Sequence, residues 1–317
     1  MVSDIPVGID RPQGFRSGFI AIVGRANVGK STLLNAMLGQ KLSIVSPKPH
    51  TTRHKLLGII NSEDAVDVSA GEAAPGFQAA LLDTPGYLRG GRDQMDAAMT
   101  HELSSALSDA DVVLLVVEPR PPGDVEQHLM EQIAQSGAPA VLCINKVDTV
   151  AKHKLLPVMQ QYSEAHPFLE IVPVSGLEED GVPLLLEALV RHLPEQEAIF
   201  PPELLTDRPV RFLAGEIVRE KVFHLYGHEV PYDTAVEVDD YEERDEDRPD
   251  FIRAVIYVDK ATQKQLLIGK GGQALKEVGV LARPEIEELV GKPVYLELWV
   301  KVSPKWRRKA GFIQRMM

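Results

Sequence analysis

The chain has 317 residues, of which 44% are apolar and 25% are charged, and it contains 1 cysteine. This length suggests about two domains, and the composition excludes a disulfide-stapled miniprotein, a mainly disordered chain and a collagen-like chain. The longest strongly apolar run, Val112 to Val117, is too short to cross a bilayer, and no basic-then-apolar signal pattern opens the sequence. We therefore expect a soluble cytosolic protein in which Cys143 is a buried thiol.

The charge is unevenly distributed along the chain. The formal net charge of −12 argues by itself against a nucleic-acid partner, because phosphate binding needs Lys and Arg. Residues 251–317, however, hold 13 Lys and Arg against 6 Asp and Glu, which gives +7 there and leaves −19 for the first 250 residues. This asymmetry favours a basic binding face on the C-terminal part, with a solvated charged surface as the alternative.

Short apolar runs alternate with helical patterns through residues 1–195. The predicted strands are FIAIVG, GFQAALLDT, DVVLLVV, AVLCINK and FLEIVPVS, and the predicted helices include KSTLLNAMLG, AAMTHELSSALSDA and VPLLLEALVRHL. Strand and helix in turn predict an α/β domain with a mainly parallel sheet, whose ligands lie beyond the carboxyl ends of the strands.

A proline-bearing acidic stretch at residues 196–208 lacks periodicity and is predicted to be a linker. Residues 209–317 are predicted to form, in order, a helix, two strands, a helix, a glycine cluster, a helix and a strand. This order predicts a second, α+β domain. The tryptophans of this part, Trp299 and Trp306, are expected to pack in its core rather than to stack on bases.

The segment Gly24 to Ser31 fits the phosphate-binding loop pattern, in which two spaced glycines are followed by Lys and Ser between a strand and a helix. The glycines let the backbone wrap closely around phosphate, and a helix N-terminus favours anionic oxygens. Lys30 would neutralise the β- and γ-phosphates, and Ser31 would offer its hydroxyl to Mg²⁺. A chance glycine turn is a poor alternative in this context.

Two further motifs follow predicted strands. The segment 83–86 (DTPG) puts Asp83 where it can hold the Mg²⁺ shell and Gly86 where its N–H can contact the γ-phosphate. The segment 145–148 (NKVD) offers the Asp148 carboxylate, which can accept two hydrogen bonds from the N1–H and 2-amino groups of guanine. Adenine lacks this donor pair, so the three motifs together predict a guanine nucleotide site.

These motifs resemble those of the small GTPases of the P-loop class. The resemblance implies GTP or GDP and Mg²⁺ as cofactors, with Ser31, Thr52 and Asp83 as metal ligands. Thr52 rather than Thr51 would contact Mg²⁺ in the GTP state, with a plain Ser/Thr turn as the alternative. Ser175-Gly176 matches the base-contacting Ser-Ala motif apart from its glycine. The residues expected to bind nucleotide are Gly24, Arg25, Ala26, Asn27, Val28, Gly29, Lys30, Ser31, Thr32, Asp83, Thr84, Pro85, Gly86, Asn145, Lys146, Asp148, Ser175 and Gly176.

The residues that we expect to act in hydrolysis are Lys30, Thr52, Gly86 and Asn27. Ras-like enzymes place a water-orienting glutamine after DTPG, whereas this chain has Tyr87, so we expect slow intrinsic hydrolysis. Asn27 stands where related ribosome-associated GTPases bind K⁺, and the resemblance implies that K⁺ could replace an arginine finger there. Simple loop capping by Asn27 is the alternative.

A G-x-x-G loop, Gly269 to Gly272, joins two predicted helices in the second domain. This loop clamps the backbone of single-stranded nucleic acid in KH domains, although a plain helix-to-helix turn would look the same. The order of elements around it and the basic tail favour a type II KH domain.

A P-loop GTPase followed by a KH domain resembles the Era family, and the similarity includes PHTTRH, LLIGKGGQALKEVG and LELWVKVSPKW. It implies that the protein binds the 3′ region of small-subunit ribosomal RNA during 30S assembly, with GTP controlling the interaction. Departures from the family pattern are Ala26 in place of a common proline, Gly176, and longer N-terminal and inter-strand segments. The residues expected to contact RNA are Gly269, Lys270, Gly271, Gly272, Lys276, Lys305, Arg307 and Arg308.

Two other functions compete with a ribosome-assembly switch. One is an RNA-tethering module gated by nucleotide with negligible hydrolysis, an alternative based on Tyr87 in place of the glutamine. The other is a signalling or membrane-associated GTPase whose basic residues 305–309 contact anionic lipid at the inner face of the membrane.

Overall fold

The structure is a computed structural model that describes residues 14–49, 51–67, 72–87, 93–227, 229–245 and 247–316. The chain divides into two compact units, each with its own hydrophobic core. Among the described residues, the first unit contains 14–43, 54–67, 72–87 and 100–207, and the second contains 44–53, 93–99 and 208–316.

A six-stranded sheet forms the centre of the first unit. Its strands lie in the order β2-β3-β1-β4-β5-β6, and every neighbouring pair is parallel except β2 and β3. The predicted mainly parallel sheet is therefore confirmed. The strands are β1 (Arg16–Val23), β2 (Leu56–Asp67), β3 (Glu72–Asp83), β4 (Val112–Val117), β5 (Ala140–Ile144) and β6 (Glu170–Pro173).

The strands β4 and β5 are apolar along their whole length, as is typical of parallel strands with both faces of the sheet covered. Every residue of β4 and β5 is buried, including Cys143, whose predicted burial is confirmed. Burial also raises the pKa of this thiol, which keeps it protonated. The α-helices between residues 30 and 191 are α1 (Lys30–Leu38), α2 (Gln94–Asp109), α3 (Asp124–Ser136), α4 (Leu155–Ala165) and α5 (Val182–Arg191).

The stretch 196–208 makes specific contacts within the first unit along most of its length. The Leu205 carbonyl accepts a hydrogen bond of 2.8 Å from the Ile59 N–H. The Gln78 side chain donates to the Phe200 carbonyl at 2.8 Å and accepts from the Phe200 N–H at the same distance. The stretch 196–208 therefore lies along the sheet although its sequence has no periodic pattern, because the buried Gln78 side chain bonds to its backbone.

The second unit contains a three-stranded sheet in the order β7-β8-β9, with β7 antiparallel and β9 parallel to β8. Three helices, α6, α7 and α8, contribute apolar residues to the same core as the strands. The predicted order of helix, two strands, two helices and a strand is confirmed. The elements are α6 (Val210–Leu225), β7 (Ala235–Glu242), β8 (Asp250–Val258), α7 (Ala261–Ile268), α8 (Gln273–Val290), β9 (Val294–Val302) and α9 (Ala310–Met316).

The two tryptophans of this unit differ. Trp306 is buried and its indole N–H donates to the Asp233 carbonyl at 2.8 Å, as expected of a core residue. Trp299 is 51% exposed, so its predicted place in the core is wrong. It lies on β9 between the half-buried Leu298 and the buried Val300, and because successive side chains of a strand alternate, it lies on the opposite face of the sheet from these two. Across the described ranges, no helix has the length and apolar character needed to span a membrane.

Candidate active site

The loop between β1 and α1 is built on a glycine that no other residue can replace easily. Gly29 precedes α1 with φ of 98°, in the left-handed region. A Cβ at this position would lie 2.3 Å from Asn145 Nδ2. The Asn145 amide in turn donates to the Val28 carbonyl at 2.9 Å. The phosphate-binding loop and the NKVD segment thus meet at Gly29, as parallel strands ending at one sheet edge require.

Lys30, the first residue of α1, is buried with its ammonium group inside the loop. Its Nζ donates to the Gly24 carbonyl at 3.2 Å and to the Arg25 carbonyl at 2.9 Å. Burial lowers the pKa of Lys30 to about 8, and the Asp83 carboxylate opposes this shift. A buried cation whose hydrogen bonds within the described residues go to carbonyl groups of its own loop is poised to bind an anionic ligand at the helix N-terminus.

The hydroxyl of Ser31 and the carboxylate of Asp83 lie together at the end of β3. Ser31 Oγ donates to Asp83 Oδ2 at 2.6 Å. Asp83 Oδ1 is buried and accepts no hydrogen bond from the part of the chain that the structure describes. Burial raises the pKa of this carboxyl, against the effects of Lys30 and of two serine hydroxyls. A buried carboxylate oxygen without a donor, beside a serine hydroxyl, fits a hard divalent cation such as Mg²⁺.

The DTPG segment is held against the phosphate-binding loop. A Cβ on Gly86 would lie 2.6 Å from Ala26 Cα, so only glycine allows this approach. The next residue, Tyr87, donates its N–H to the Gly24 carbonyl at 3.0 Å. Thr84 fixes the preceding turn, because its hydroxyl donates to the Ile22 carbonyl of β1 at 2.7 Å.

The NKVD segment contributes a second lysine to the same loop. Lys146 donates from Nζ to the Asn27 carbonyl at 2.6 Å and forms an ion pair with Glu118 at 2.8 Å. Asn27 has a left-handed φ of 66°. Asparagine adopts this region at small cost, so backbone geometry alone gives a reason for this residue. Glu118, at the end of β4, was missed at the sequence level because nothing in its neighbourhood marks it as a partner of Lys146.

The expected base-recognition residues lie together. Ser175 Oγ donates to Asp148 Oδ1 at 2.6 Å, and the Gly176 N–H donates to Asn145 Oδ1 at 2.9 Å. A Cβ on Gly176 would lie 3.0 Å from Leu33 Cδ2, so the leucine side chain occupies space that the family's usual alanine methyl would need. The departure from the Ser-Ala motif is therefore matched by the packing of α1.

Thr52 lies in the segment 44–53 of the second unit. Thr51 is buried, and its hydroxyl donates to the Lys48 carbonyl at 2.6 Å. The Thr51 carbonyl accepts a hydrogen bond of 2.5 Å from Arg219 on α6. The Thr51 hydroxyl is therefore bonded within the segment, and the choice of Thr52 as metal ligand stays a prediction.

Arg53 was not singled out by the sequence, yet its side chain is almost completely buried. It is 2% exposed and donates to the Thr234 carbonyl at 2.6 Å and to the Tyr232 carbonyl at 3.0 Å. Its guanidinium also lies 5.6 Å from the centre of the Trp306 ring. A loop arginine carries no periodic signal of burial, so only the tertiary structure identifies it.

The G-x-x-G loop of the second unit has glycine-dependent geometry. Gly269, Gly271 and Gly272 have positive φ values of 69°, 61° and 80°. A Cβ on Gly269 would lie 2.6 Å from the Ala274 Cβ, whereas nothing lies within 4 Å of a Cβ placed on Gly271 or Gly272. The loop is thus tight on one side and open on the other, and the Lys270 and Lys276 side chains beside it are exposed.

The basic turn after β9 is less uniform than its sequence implies. Lys305 and Arg308 are exposed, but Arg307 is ion-paired with Asp93 at 2.8 Å and with Asp96 at 2.9 Å. A guanidinium already neutralised by two carboxylates has little capacity for phosphate, so the expected RNA contact of Arg307 is not favoured by this geometry.

We predict that Lys30→Ala lowers the affinity for GDP by at least about 100-fold. A charge-assisted hydrogen bond contributes up to about 3 kcal/mol, and within the described ranges the Lys30 ammonium donates to two loop carbonyls. Isothermal titration with GDP measures the loss, and Lys154→Ala, on an exposed lysine, is the matched control. Wild-type affinity in a folded Lys30→Ala protein would exclude this loop as the phosphate site.

Comparisons with known proteins agree with this geometry. A protein-family model described as a 50S ribosome-binding GTPase matches residues 19–146, and a KH domain model matches residues 229–307. GTPase Era of Geobacter metallireducens is 44% identical over 95% of this chain and 97% of its own length. GTPase Era of Geotalea daltonii is 45% identical over 93% of this chain and 95% of its own length.

Solved structures give the same result. Era in complex with MgGDPNP and nucleotides 1506–1542 of 16S ribosomal RNA matches with a TM-score of 0.88 and 38% identity, over 95% of this chain and 98% of that one. An Aquifex aeolicus Era variant bound to GDP and AlF₄⁻ matches with a TM-score of 0.87 and 38% identity, with the same coverage. With this identity along nearly its whole length, the chain belongs to the Era family of GTPases.

Proposed function

We propose that this GTPase is a switch that binds small-subunit ribosomal RNA through its KH domain and assists assembly of the 30S subunit. The observation that carries the proposal is the convergence of three guanine-nucleotide motifs in one unit, with an open G-x-x-G loop in the other. An Era structure that contains 16S ribosomal RNA supports the choice of RNA.

The nucleotide site would hold Mg²⁺·GTP. Ser31 and Asp83 would bind Mg²⁺, with Thr52 as the expected third ligand in the GTP state. The bound metal would neutralise charge on the β- and γ-phosphates. Lys30 would bind the same phosphates, and Asp148, oriented by Ser175, would accept the two donors of guanine.

Hydrolysis by this site should be slow without a partner. Tyr87 occupies the position of the water-orienting glutamine and offers no amide. Its ring packs against His128, with the ring centres 5.2 Å apart, and its backbone N–H donates to the Gly24 carbonyl. A tyrosine hydroxyl is a poor general base near neutral pH, so Tyr87 is not expected to activate the attacking water.

A monovalent cation is the expected substitute for an arginine finger. If the Asn27 side chain binds K⁺, replacing K⁺ with Na⁺ should slow GTP hydrolysis by at least about tenfold, or about 1.4 kcal/mol of activation free energy. GDP affinity, measured in both salts, should be unchanged. Equal hydrolysis rates would leave loop geometry as the only role of Asn27, whose left-handed backbone already explains its identity.

The RNA site is proposed on the open side of the G-x-x-G loop. A KH loop clamps about four nucleotides, and the positive φ values of Gly271 and Gly272 leave room for a sugar-phosphate backbone. Lys270, Lys276, Lys305 and Arg308 are the exposed cations that we assign to phosphate contacts.

A membrane role has less support than an RNA role. Membrane-surface segments place aromatic side chains in the lipid headgroup region, but Trp306 is 1% exposed and bonded to Asp233. Arg307, beside it, is neutralised by Asp93 and Asp96. The remaining exposed cations could bind the phosphate of a lipid headgroup or of an RNA backbone. Only the RNA role also gives a function to the G-x-x-G loop.

The decisive experiment is RNA crosslinking in cells followed by mapping of the bound sites, with GTP-locked and GDP-bound protein compared. The proposal predicts crosslinks at the 3′ end of small-subunit ribosomal RNA that depend on the nucleotide. Flotation with anionic vesicles, run in parallel, should leave the protein unbound. Crosslinks that do not respond to nucleotide would favour an RNA-tethering module, and flotation without RNA crosslinks would favour a membrane GTPase.

A further inference from the structure

Ser43 lies outside the three nucleotide motifs but bonds directly to one of them. It follows α1 in the first unit, is 3% exposed, and donates from Oγ to Asp83 Oδ2 at 3.0 Å. The same oxygen accepts the Ser31 hydroxyl at 2.6 Å. Two serine hydroxyls from different parts of the chain therefore converge on one oxygen of the carboxylate that the site offers to Mg²⁺.

The backbone of Ser43 is held by a single side chain, Asn35. Asn35 Oδ1 accepts the N–H groups of Leu42 at 2.9 Å and of Ser43 at 2.8 Å. Asn35 Nδ2 donates to the Ser43 carbonyl at 2.8 Å. Both backbone groups of Ser43 are thus bonded to one amide, which fixes the position from which its hydroxyl reaches Asp83.

The helix α1 links these contacts. Ser31 lies in its first turn and Asn35 one turn later, so the two residues lie on the same face of the helix. One residue reaches Asp83 directly, and the other reaches it through Ser43. The pair of hydroxyl donors saturates Oδ2 and leaves Oδ1 as the carboxylate oxygen without a donor among the described residues.

We propose that Ser43, held by Asn35, is a positioning residue that orients Asp83 for Mg²⁺ in the nucleotide-bound protein. The inference rests on the proposed nucleotide site. Partners of metal-binding carboxylates act by fixing the orientation of the ligand, and their removal typically costs about 10- to 100-fold in metal affinity. Ser43 touches neither nucleotide nor metal in this assignment; it acts through the Asp83 carboxylate.

The test measures Mg²⁺ dependence rather than hydrolysis. The dissociation rate of a fluorescent GDP analogue is followed as Mg²⁺ is titrated, for wild type and for Ser43→Ala. We expect the Mg²⁺ concentration that half-maximally slows dissociation to rise about tenfold in Ser43→Ala. The dissociation rate in EDTA should stay at the wild-type value, because the hydroxyl acts only on the metal ligand. Ser104→Ala, on an exposed α2 serine, is the matched control and should behave as wild type.

Each other outcome overturns the inference. An unchanged Mg²⁺ dependence in Ser43→Ala would leave the nucleotide site intact and remove Ser43 from it. An equal change in EDTA and in Mg²⁺ would show that the hydroxyl acts on the fold or the nucleotide. A wild-type protein that binds no GDP analogue would refute the nucleotide site itself, whereas one that binds the analogue and releases it at a rate independent of Mg²⁺ would refute the assignment of Mg²⁺ to Asp83. If Ser43→Ala is unstable, Ser43→Cys, similar in size but a weak donor, carries the same measurement.

Discussion

Replacing both Lys270 and Gly271 with aspartate should lower the affinity for ribosomal RNA by about 100-fold while GDP binding stays normal. The two substitutions change the loop by three unit charges, and each unit charge at about 4 Å from a phosphate in water contributes about 1 kcal/mol. A tenfold change in affinity corresponds to about 1.4 kcal/mol. GDP binding should not change, because both positions lie in the second unit and the nucleotide motifs lie in the first.

The fold should survive these substitutions. Nothing lies within 4 Å of a Cβ at Gly271, and Asp and Asn are the side chains that best tolerate a φ of 61°. The matched control is therefore Lys270→Gln with Gly271→Asn, which adds the same bulk at position 271 and removes the lysine charge without adding negative charge. It should lose about tenfold at most, and its salt dependence should be shallower by about 0.7 in log–log slope, the value for one lost phosphate contact on a single strand.

A filter-binding titration against the 3′ region of small-subunit ribosomal RNA decides between charge and shape. If the double-aspartate and the Gln/Asn proteins lose the same affinity, the loop acts through shape alone. If the folded double-aspartate protein binds as tightly as wild type, the glycines only form a turn. Arg308→Ala should lower the affinity for all RNA sequences alike, because contacts to phosphate fix the position of the protein on the RNA but do not distinguish one base from another.

The nucleotide site could be predicted from sequence because its residues stand next to strand ends, and parallel strands bring their carboxyl ends to one edge. Asp83 is the last residue of β3, and Asn145 follows β5, so the topology alone places them near the loop after β1. The small size of Gly29 and Gly86 also follows from the motif, and the structure supplies the atoms, Asn145 Nδ2 and Ala26 Cα, that require it.

Residues whose role depends on packing could not be predicted in this way. Arg53 and Ser43 lie in irregular chain, where neither period nor motif marks burial, and both are bonded to residues far away in sequence. Arg307 shows the opposite case: it lies in a basic run of the sequence, but its guanidinium forms an ion pair with Asp93. Composition gives the charge of a segment but not which of its cations are paired within the fold.

The linker prediction has a similar limit. Residues 196–208 contain two adjacent prolines and several acids, and this composition is typical of a free connection. Gln78, a polar residue inside β3, holds the stretch by bonding both the N–H and the carbonyl of Phe200. A buried glutamine in a strand is a signal that a polar partner exists, but the sequence does not say which segment provides it.

Asp148→Asn should exchange guanine for xanthine specificity. The Asp148 carboxylate accepts the Ser175 hydroxyl through Oδ1, and an asparagine oxygen can accept the same bond, so the side chain should keep its orientation. What changes is the group that faces the base. An amide would oppose its own N–H to a donor of guanine, whereas the 2-oxo group of xanthine accepts that N–H. The substitution thus alters recognition of one edge of the base without changing the loop that holds it.

We expect Asp148→Asn to lose about 1,000-fold or more in affinity for GDP and to gain affinity for xanthosine diphosphate, because sites built to pair a polar edge reject a mismatched one by up to about 10⁵-fold. Calorimetry with both nucleotides measures the exchange. Ser175→Ala is the control: it removes the orienting hydroxyl but keeps the carboxylate, so it should weaken GDP binding without any gain for xanthine. Because the Asn145 and Lys146 side chains donate to carbonyl groups of the phosphate-binding loop, neither the exchange nor its control should disturb those contacts. Unchanged GDP affinity in Asp148→Asn would mean that another residue reads the base, whereas loss of both nucleotides would mean that Asp148 supports the fold of the site instead of selecting guanine.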